Sequence, residues 1–446
     1  MEQQHMFTNR MIRNLLVPVV LEQILNSIMG TADTMMVSNV GSAALSAVSL
    51  VDSINILLIQ AFSALAAGGA IVCAQYIGQK NYEKANMSAR QVLFIITAIS
   101  VAVSAVCLIF QKPLLRFIFG AVEADVMRAS ETYFFFTALS FPFIAAYDSA
   151  ASIFRAQENT KGPMTISMIS NVMNIGGNAI LIWVFHLGVA GAALSTLVSR
   201  IFCAVVVLYQ LRKDRQPIVV RDYLKIRPDW GMIKRILGLG IPSGVENSMF
   251  QLGKLAIQST VSTLGTTAIA AQAMTNILEN LNGIAAIGVG VGLMTIVGQC
   301  LGAGRKDEAV YYIKKLCVIA EFVIIASCLV VYILARPVTI LGGMEKESAA
   351  MCIHMITWIT IVKPLVWTMG FVPGYGLRAA GDVKFSMITS CCTMWACRFC
   401  LCVFLIRVLG FGPMGVWIGM FADWTVRGII FTWRFHSRKW LEHKVI

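Results

Sequence analysis

The chain has 446 residues; 57% are hydrophobic, only 13% are charged, and the mean hydropathy is +0.74. Average soluble domains carry roughly 25% charged residues, so a soluble globular protein is excluded. The net charge of +13 does not indicate a nucleic-acid partner, because the basic residues sit in loops beside apolar runs, where they report membrane orientation.

The apolar residues come in runs of about twenty or more, divided by short polar loops. Such a chain is expected to be an all-α integral membrane protein, since a helix satisfies its own backbone groups in lipid. Residues 1–14 are polar and the first apolar run carries two acids, a pattern unlike a cleaved leader. Six spans are predicted at 11–37, 45–73, 89–110, 132–154, 164–185 and 189–211. Six more are predicted at 236–262, 268–297, 316–335, 352–375, 386–406 and 413–435. The expected domains are an N-terminal six-helix lobe (1–211), a basic linker (212–235), a C-terminal six-helix lobe (236–435) and a basic tail (436–446). Loops on the side of the N-terminus hold 25 Lys and Arg, and the opposite loops hold six. That bias predicts cytoplasmic termini and linker in a multi-pass protein of the cell membrane. An odd number of spans would break the alternation.

The halves repeat at an offset of about 224 residues. Pro18 aligns with Pro242, Glu22 with Glu246, Gly41 with Gly265, and Gly68 with Gly292. Gln75, Gly78, Ala85, Pro113, Gly188 and Gly191 align with Gln299, Gly302, Ala309, Pro337, Gly412 and Gly415. An even number of spans per half makes the repeats parallel, related by a pseudo-two-fold axis along the membrane normal. Such a pair of lobes suggests alternating access. Gly68, Gly69, Gly288, Gly290 and Gly292 are expected to let helices approach closely. Pro142, Pro364 and Pro373 fall inside spans and permit bends. The cysteines read as small apolar fillers; the Cys397-x-x-Cys400 spacing leaves metal or redox use as the other reading, with no histidine joining the cluster.

Charges inside the spans carry the functional signal. A carboxylate near the bilayer centre costs about 2.5–3.5 kcal/mol on insertion scales, so it normally faces a protein interior or a water-filled cavity. Asp33, in the first span, leads this set; the alternative is a buried acid that only bonds a neighbouring helix. Asp52 and Asp148 add acids to the first half, where either a cavity-lining or a helix-capping role fits. The second half holds Glu246, Lys254, Glu279, Lys363, Arg398 and Asp423. An unpaired guanidinium at Arg398 is too costly to leave alone, so Glu246 or Asp423 is expected to hold it.

Several patterns together resemble the multidrug and toxic compound extrusion (MATE) family of cation-coupled antiporters. They are Pro18, Glu22-Gln23, Asp33-Thr34, Gly41 and Ala44 in the first span, and the loop Gln75-Tyr76-Ile77-Gly78-Gln79-Lys80. Arg155-Ala156 and Arg378-Ala379 pair between the halves; Asn171, Asn174, Asn178 and the run Gly188-Val189-Ala190-Gly191-Ala192-Ala193 complete the set. The resemblance covers nearly the whole chain. It implies export of amphipathic, often cationic compounds driven by Na⁺ or H⁺, with no other cofactor, by a monomer among membrane lipids. It also implies a cation site at Asp33, Asn174 and Thr196, and places the family's second carboxylate at Asn178, an amide in this chain. Asn174 and Asn178 share a helix face, and with Asp33 and Thr196 they offer an all-oxygen set suited to a hard cation. Interhelical hydrogen bonding is the other reading of the asparagines. At the same offset Arg398 replaces Asn174 and Ile257 replaces Asp33, so the halves are not chemically equivalent.

Two rival functions follow from the same features. A flippase of lipid-linked saccharides needs a strongly cationic cavity, whereas Lys254, Lys363, Arg398 and Arg427 are offset by Glu246, Glu279 and Asp423. A membrane lipid transferase needs clustered acids or histidines, but His5, His186, His354, His436 and His443 are scattered. The expectation is a transporter rather than an enzyme.

Overall fold

The computed structural model describes residues 5–120 and 122–446, and among them the regular structure is helical throughout. The first half comprises α1 (Asn9–Ser38), α2 (Ser42–Gly78), α3 (Tyr82–Ile109), the short α4 (Gln111–Phe119), α5 (Ala124–Leu139), α6 (Phe141–Ala156), α7 (Lys161–Asn178) and α8 (Val189–Leu211). The second comprises α9 (Trp230–Val261), α10 (Thr266–Gly302), α11 (Lys306–Leu341), α12 (Lys346–Ala379), α13 (Val383–Cys392), α14 (Leu401–Arg407) and α15 (Met414–Ser437). Nine spans among the described residues are long and apolar enough to cross a membrane, and the bent pair α5–α6 makes a tenth. The twelve expected are completed by α9 and α15, which carry Glu246 and Lys254, and Asp423 and Arg427. Those charges lower the apolarity of both helices.

The duplication is visible in the helix ends. The α1–α2 and α9–α10 connections turn at Gly41 (φ 148°) and Gly265 (φ 95°), a backbone region that side chains with a Cβ rarely adopt. The fourth span departs from the expected continuous helix. It bends by 41° between α5 and α6, at Ser140, two residues before Pro142. By contrast, α12 runs through Pro364 and Pro373 without ending. The fifth span of each half also departs from regularity: α7 continues as a π-helical stretch, Ala179–Val184, and α13 as another, Thr393–Cys400. Such wide turns are rare and frequent at functional sites.

The chain forms two compact units. The first is Leu25–Gly244; the second joins Met1–Ile24 to Val245–Ile446. The divisions fall inside α1 and α9, so the opening 24 residues group with the later half. Within the second unit, Gly288 and Gly292 of α10 receive α1: a Cβ on Gly288 would lie 2.9 Å from the Val20 Cα. Within the first unit, a Cβ on Gly68 of α2 would lie 2.6 Å from the Gly240 backbone nitrogen of α9. Lipid tails are as apolar as the helices, so this close fit supplies the attraction that water would otherwise provide.

The linker is tied to the first unit by side-chain amides that act as backbone partners. Asn86 donates to the Pro217 carbonyl (3.1 Å) and accepts from the Val219 N–H (2.8 Å). Gln91 donates to the Arg227 carbonyl (2.8 Å) and accepts from the Asp229 N–H (3.0 Å). In the second unit the tail is anchored by Trp440, fully buried, whose Nε1 donates to the Phe435 carbonyl at 3.0 Å.

Candidate functional site

The site grows from the end of α7. Gly177 brings α7 against α8 at Ser195, whose hydroxyl donates to the Asn174 carbonyl at 2.9 Å. One turn separates Asn174 from Asn178, so both side chains leave the helix on one face. Asn178 is fully buried where α7 gives way to the π stretch. Its Nδ2 donates to the Asp33 carboxylate and, at 3.4 Å, to Asn174 Oδ1. Asn174 Nδ2 in turn donates to Thr196 Oγ1 at 3.3 Å. All four residues of the expected set therefore form one hydrogen-bonded line, Asp33–Asn178–Asn174–Thr196, across α1, α7 and α8. Among the described residues, Asn178 Oδ1 is buried without a hydrogen-bond partner. The third asparagine serves packing: Asn171 donates to Asn26 Oδ1 at 2.9 Å, and Ser167 donates to the same oxygen at 2.8 Å.

Asp52 and Asp148 lie inside α2 and α6 and cap neither helix. Asp52 accepts from Tyr133 on α5 (3.1 Å) and from Asn55 (3.2 Å). Asp148 accepts from Ser63 on α2 at 2.5 Å. Sequence reasoning missed a cation inside a span of this unit, Arg200 on α8. Arg200 donates to Ser140 Oγ at 2.6 Å, at the bend between α5 and α6, and interacts electrostatically with Asp33, Asp52 and Asp148. The available signal was a single arginine inside an apolar run of 23 residues.

The corresponding span of the second unit builds something different. Arg398 lies in the π stretch and pairs with Asp423 at 2.8 Å. Asp423 also pairs with Arg427 at 3.0 Å, and all three side chains are buried. Of the two expected partners for Arg398, Asp423 is the one. Glu246 instead lies 3.6 Å from Arg378 and accepts from Ser386 at 3.3 Å. Lys363 is wholly buried, pairs with Glu279 at 2.6 Å and donates to Asn282. Ile257, the counterpart of Asp33, sits in an apolar cluster.

The charged groups inside the spans thus differ between the two units. In the first, the guanidinium of Arg200 lies within the electrostatic reach of Asp33, Asp52 and Asp148. In the second, the ion-paired groups Lys363–Glu279 and Arg398–Asp423–Arg427 carry one cation more than they have carboxylates.

The sequence model of the MatE family matches residues 18–180 and 242–404, one segment in each half at the offset of the duplication. An uncharacterized transporter of Bacillus subtilis, YisQ, is 26% identical over 95% of this chain and 93% of its own length. A probable multidrug resistance protein NorM of Thermotoga maritima is 24% identical over 97% of this chain and 93% of its own. The fold superposes on the outward-facing conformation of a multidrug resistance MATE family transporter of the MOP superfamily. The TM-score is 0.90 at 20% identity, with 96% of each chain covered.

Proposed function

Because the chain belongs to the MatE family, we propose that it is a secondary active antiporter. On this reading it exports amphipathic, cationic drugs or metabolites across the cell membrane in exchange for Na⁺ or H⁺. It is a multi-pass membrane transporter, not an enzyme. The observation that carries the coupling assignment is the line Asp33–Asn178–Asn174–Thr196.

A single carboxylate in that line balances a single monovalent charge. A half-turn of the Asn178 amide would bring its unpaired oxygen, in place of its N–H, toward Asp33. Asp33, Asn174, Asn178 and Thr196 would then offer oxygen ligands to Na⁺. A proton on Asp33 could use the same amide oxygen as its acceptor. Ion and proton therefore compete for one place. Antiport requires that occupancy of this place change the affinity of the first unit for substrate, through a differential interaction in two states. Alternating access couples the two events. The excess of carboxylates around Arg200 supports a cationic substrate. The loop charges support cytoplasmic termini, and the protein is taken to work as a monomer.

The test is ethidium efflux from proteoliposomes under imposed pH or Na⁺ gradients. Asp33→Asn is expected to fold, because it keeps the shape of the side chain, and to lose gradient-driven efflux. Full efflux by that variant returns Asp33 to a structural role.

A further inference from the structure

We propose that the second unit carries a binding site for the anionic group of an amphipathic small molecule, built on Lys254 and backed by Arg398 and Arg427 around the ring of Phe250. The ring centroid lies 5.0 Å from Lys254 Nζ, 4.9 Å from the Arg398 guanidinium carbon and 6.0 Å from that of Arg427. Phe250 and Lys254 are one turn apart on α9, so they share a face.

Charge accounting within the unit leaves this place positive. Arg398 and Arg427 share one carboxylate, Asp423. Glu279, the acid whose field reaches Lys254, is already ion-paired to Lys363 at 2.6 Å. Lys254 makes no ion pair or hydrogen bond among the described residues; its charge rests over the ring of Phe250. It is also exposed, although Glu279, Lys363 and Arg398 all act on it. A lysine that is both reachable and set among buried charges fits a cleft wall rather than a lipid-facing surface.

The donors are in excess as well. Among the described residues, Nε of Arg398 and Nε of Arg427 are buried with no acceptor, on side chains only 2% and 3% exposed. Unmet buried donors and uncompensated positive charge both favour an incoming acceptor that is negative. The aromatic ring offers the apolar body of such a ligand a flat surface. A carboxylate, sulfonate or phosphate on an amphipathic molecule meets all three conditions.

This inference rests on the transport reading only in treating the ligand as cargo, and its test is equilibrium binding. The wild-type protein in nanodiscs of phosphatidylcholine is titrated with pyrenebutyrate and with its neutral amide, following energy transfer from tryptophan to pyrene. The carboxylate is expected to bind about tenfold tighter than the amide. Lys254→Gln should erase that preference and Lys254→Arg should retain it. Equal affinities in the wild type, or an unchanged preference in Lys254→Gln, would overturn the proposal. Phosphatidylglycerol in the nanodiscs should leave pyrenebutyrate binding unchanged. If it abolishes that binding, the place is a lipid headgroup site and the proposal fails. The wild-type comparison and the lipid competition stand even if Lys254→Gln does not fold. Wild-type ethidium efflux, measured separately, tests antiport: its absence beside an intact carboxylate preference sinks the antiport reading alone.

Discussion

The side-chain amide of Asn178 donates to the carboxylate of Asp33 while its own oxygen is buried and unpaired. Under the proposed coupling, the amide reads the charge state of the acid. An ionised Asp33 accepts from the N–H, whereas a protonated or ion-bound Asp33 favours the oxygen. Asn178→Asp would place a second carboxylate against the first. The like charges should shift the pH dependence or the ion preference of efflux. Asn178→Ala should remove the reader and weaken coupling while leaving a folded protein. Efflux against pH and Na⁺ gradients separates the two; an unaltered ion dependence in both variants would remove Asn178 from the mechanism.

Arg200 joins the acids of the first unit to the bend at Ser140. Arg200→Gln leaves the three carboxylates without their cation, and about a tenfold loss of ethidium efflux is expected. Arg200→Lys keeps the charge but not the fork geometry and should fall between. A variant Arg200→Gln that transports like wild type would reduce this residue to packing.

Asp423 is shared by Arg398 and Arg427, so the three positions are not equivalent. Asp423→Asn leaves two buried guanidinium groups with no counter-charge and should cost about 3–5 kcal/mol. Arg398→Leu leaves a balanced Arg427–Asp423 pair and should cost less. Thermal unfolding in detergent orders the two; a larger loss for Arg398→Leu contradicts the shared-acid arrangement.

Asn86 and Gln91 hold the linker by four hydrogen bonds to its backbone. Each bond contributes about 0.5–1.5 kcal/mol, so the double variant Asn86→Ala, Gln91→Ala should free the linker without unfolding the spans. Trypsin should then cut faster at Arg221 and Lys225. Burial pushes the Tyr223 phenol up to about 12, against a weaker opposing pull from Arg212, and its hydroxyl donates to the Leu208 carbonyl at 2.6 Å. A raised value in the folded state means that this contribution is complete below the ordinary tyrosine value of about 10. It is lost as the pH rises through about 12. Faster cleavage in that range, absent in Tyr223→Phe, is the expected result.

Cysteines placed singly at positions 41–44 and 266–267 should react with an impermeant thiol reagent in sealed cells. Cysteines at 80, 161 and 221 should not. The expectation comes from the loop charges, and labelling at position 221 from outside would reverse the orientation.

Apolar run length, the offset between the halves and the rarity of acids inside spans were enough to read the twelve helices, the duplication and Asp33; Asn174, Asn178 and Thr196 joined it through the resemblance to the MATE family. Each is a local property. A run of about twenty apolar residues has one stable form in lipid, and residues four apart on a helix must share a face. What the sequence left open was settled by packing. Glu246 and Asp423 were equal partners for Arg398 until the fold put Asp423 beside it and Arg378 beside Glu246. The bend at Ser140, the two π stretches and the grouping of residues 1–24 with the later half depend on which helices approach each other. Arg200 gains its meaning in the same way, because its carboxylates come from α1, α2 and α6, and only the tertiary fold brings those helices to one guanidinium.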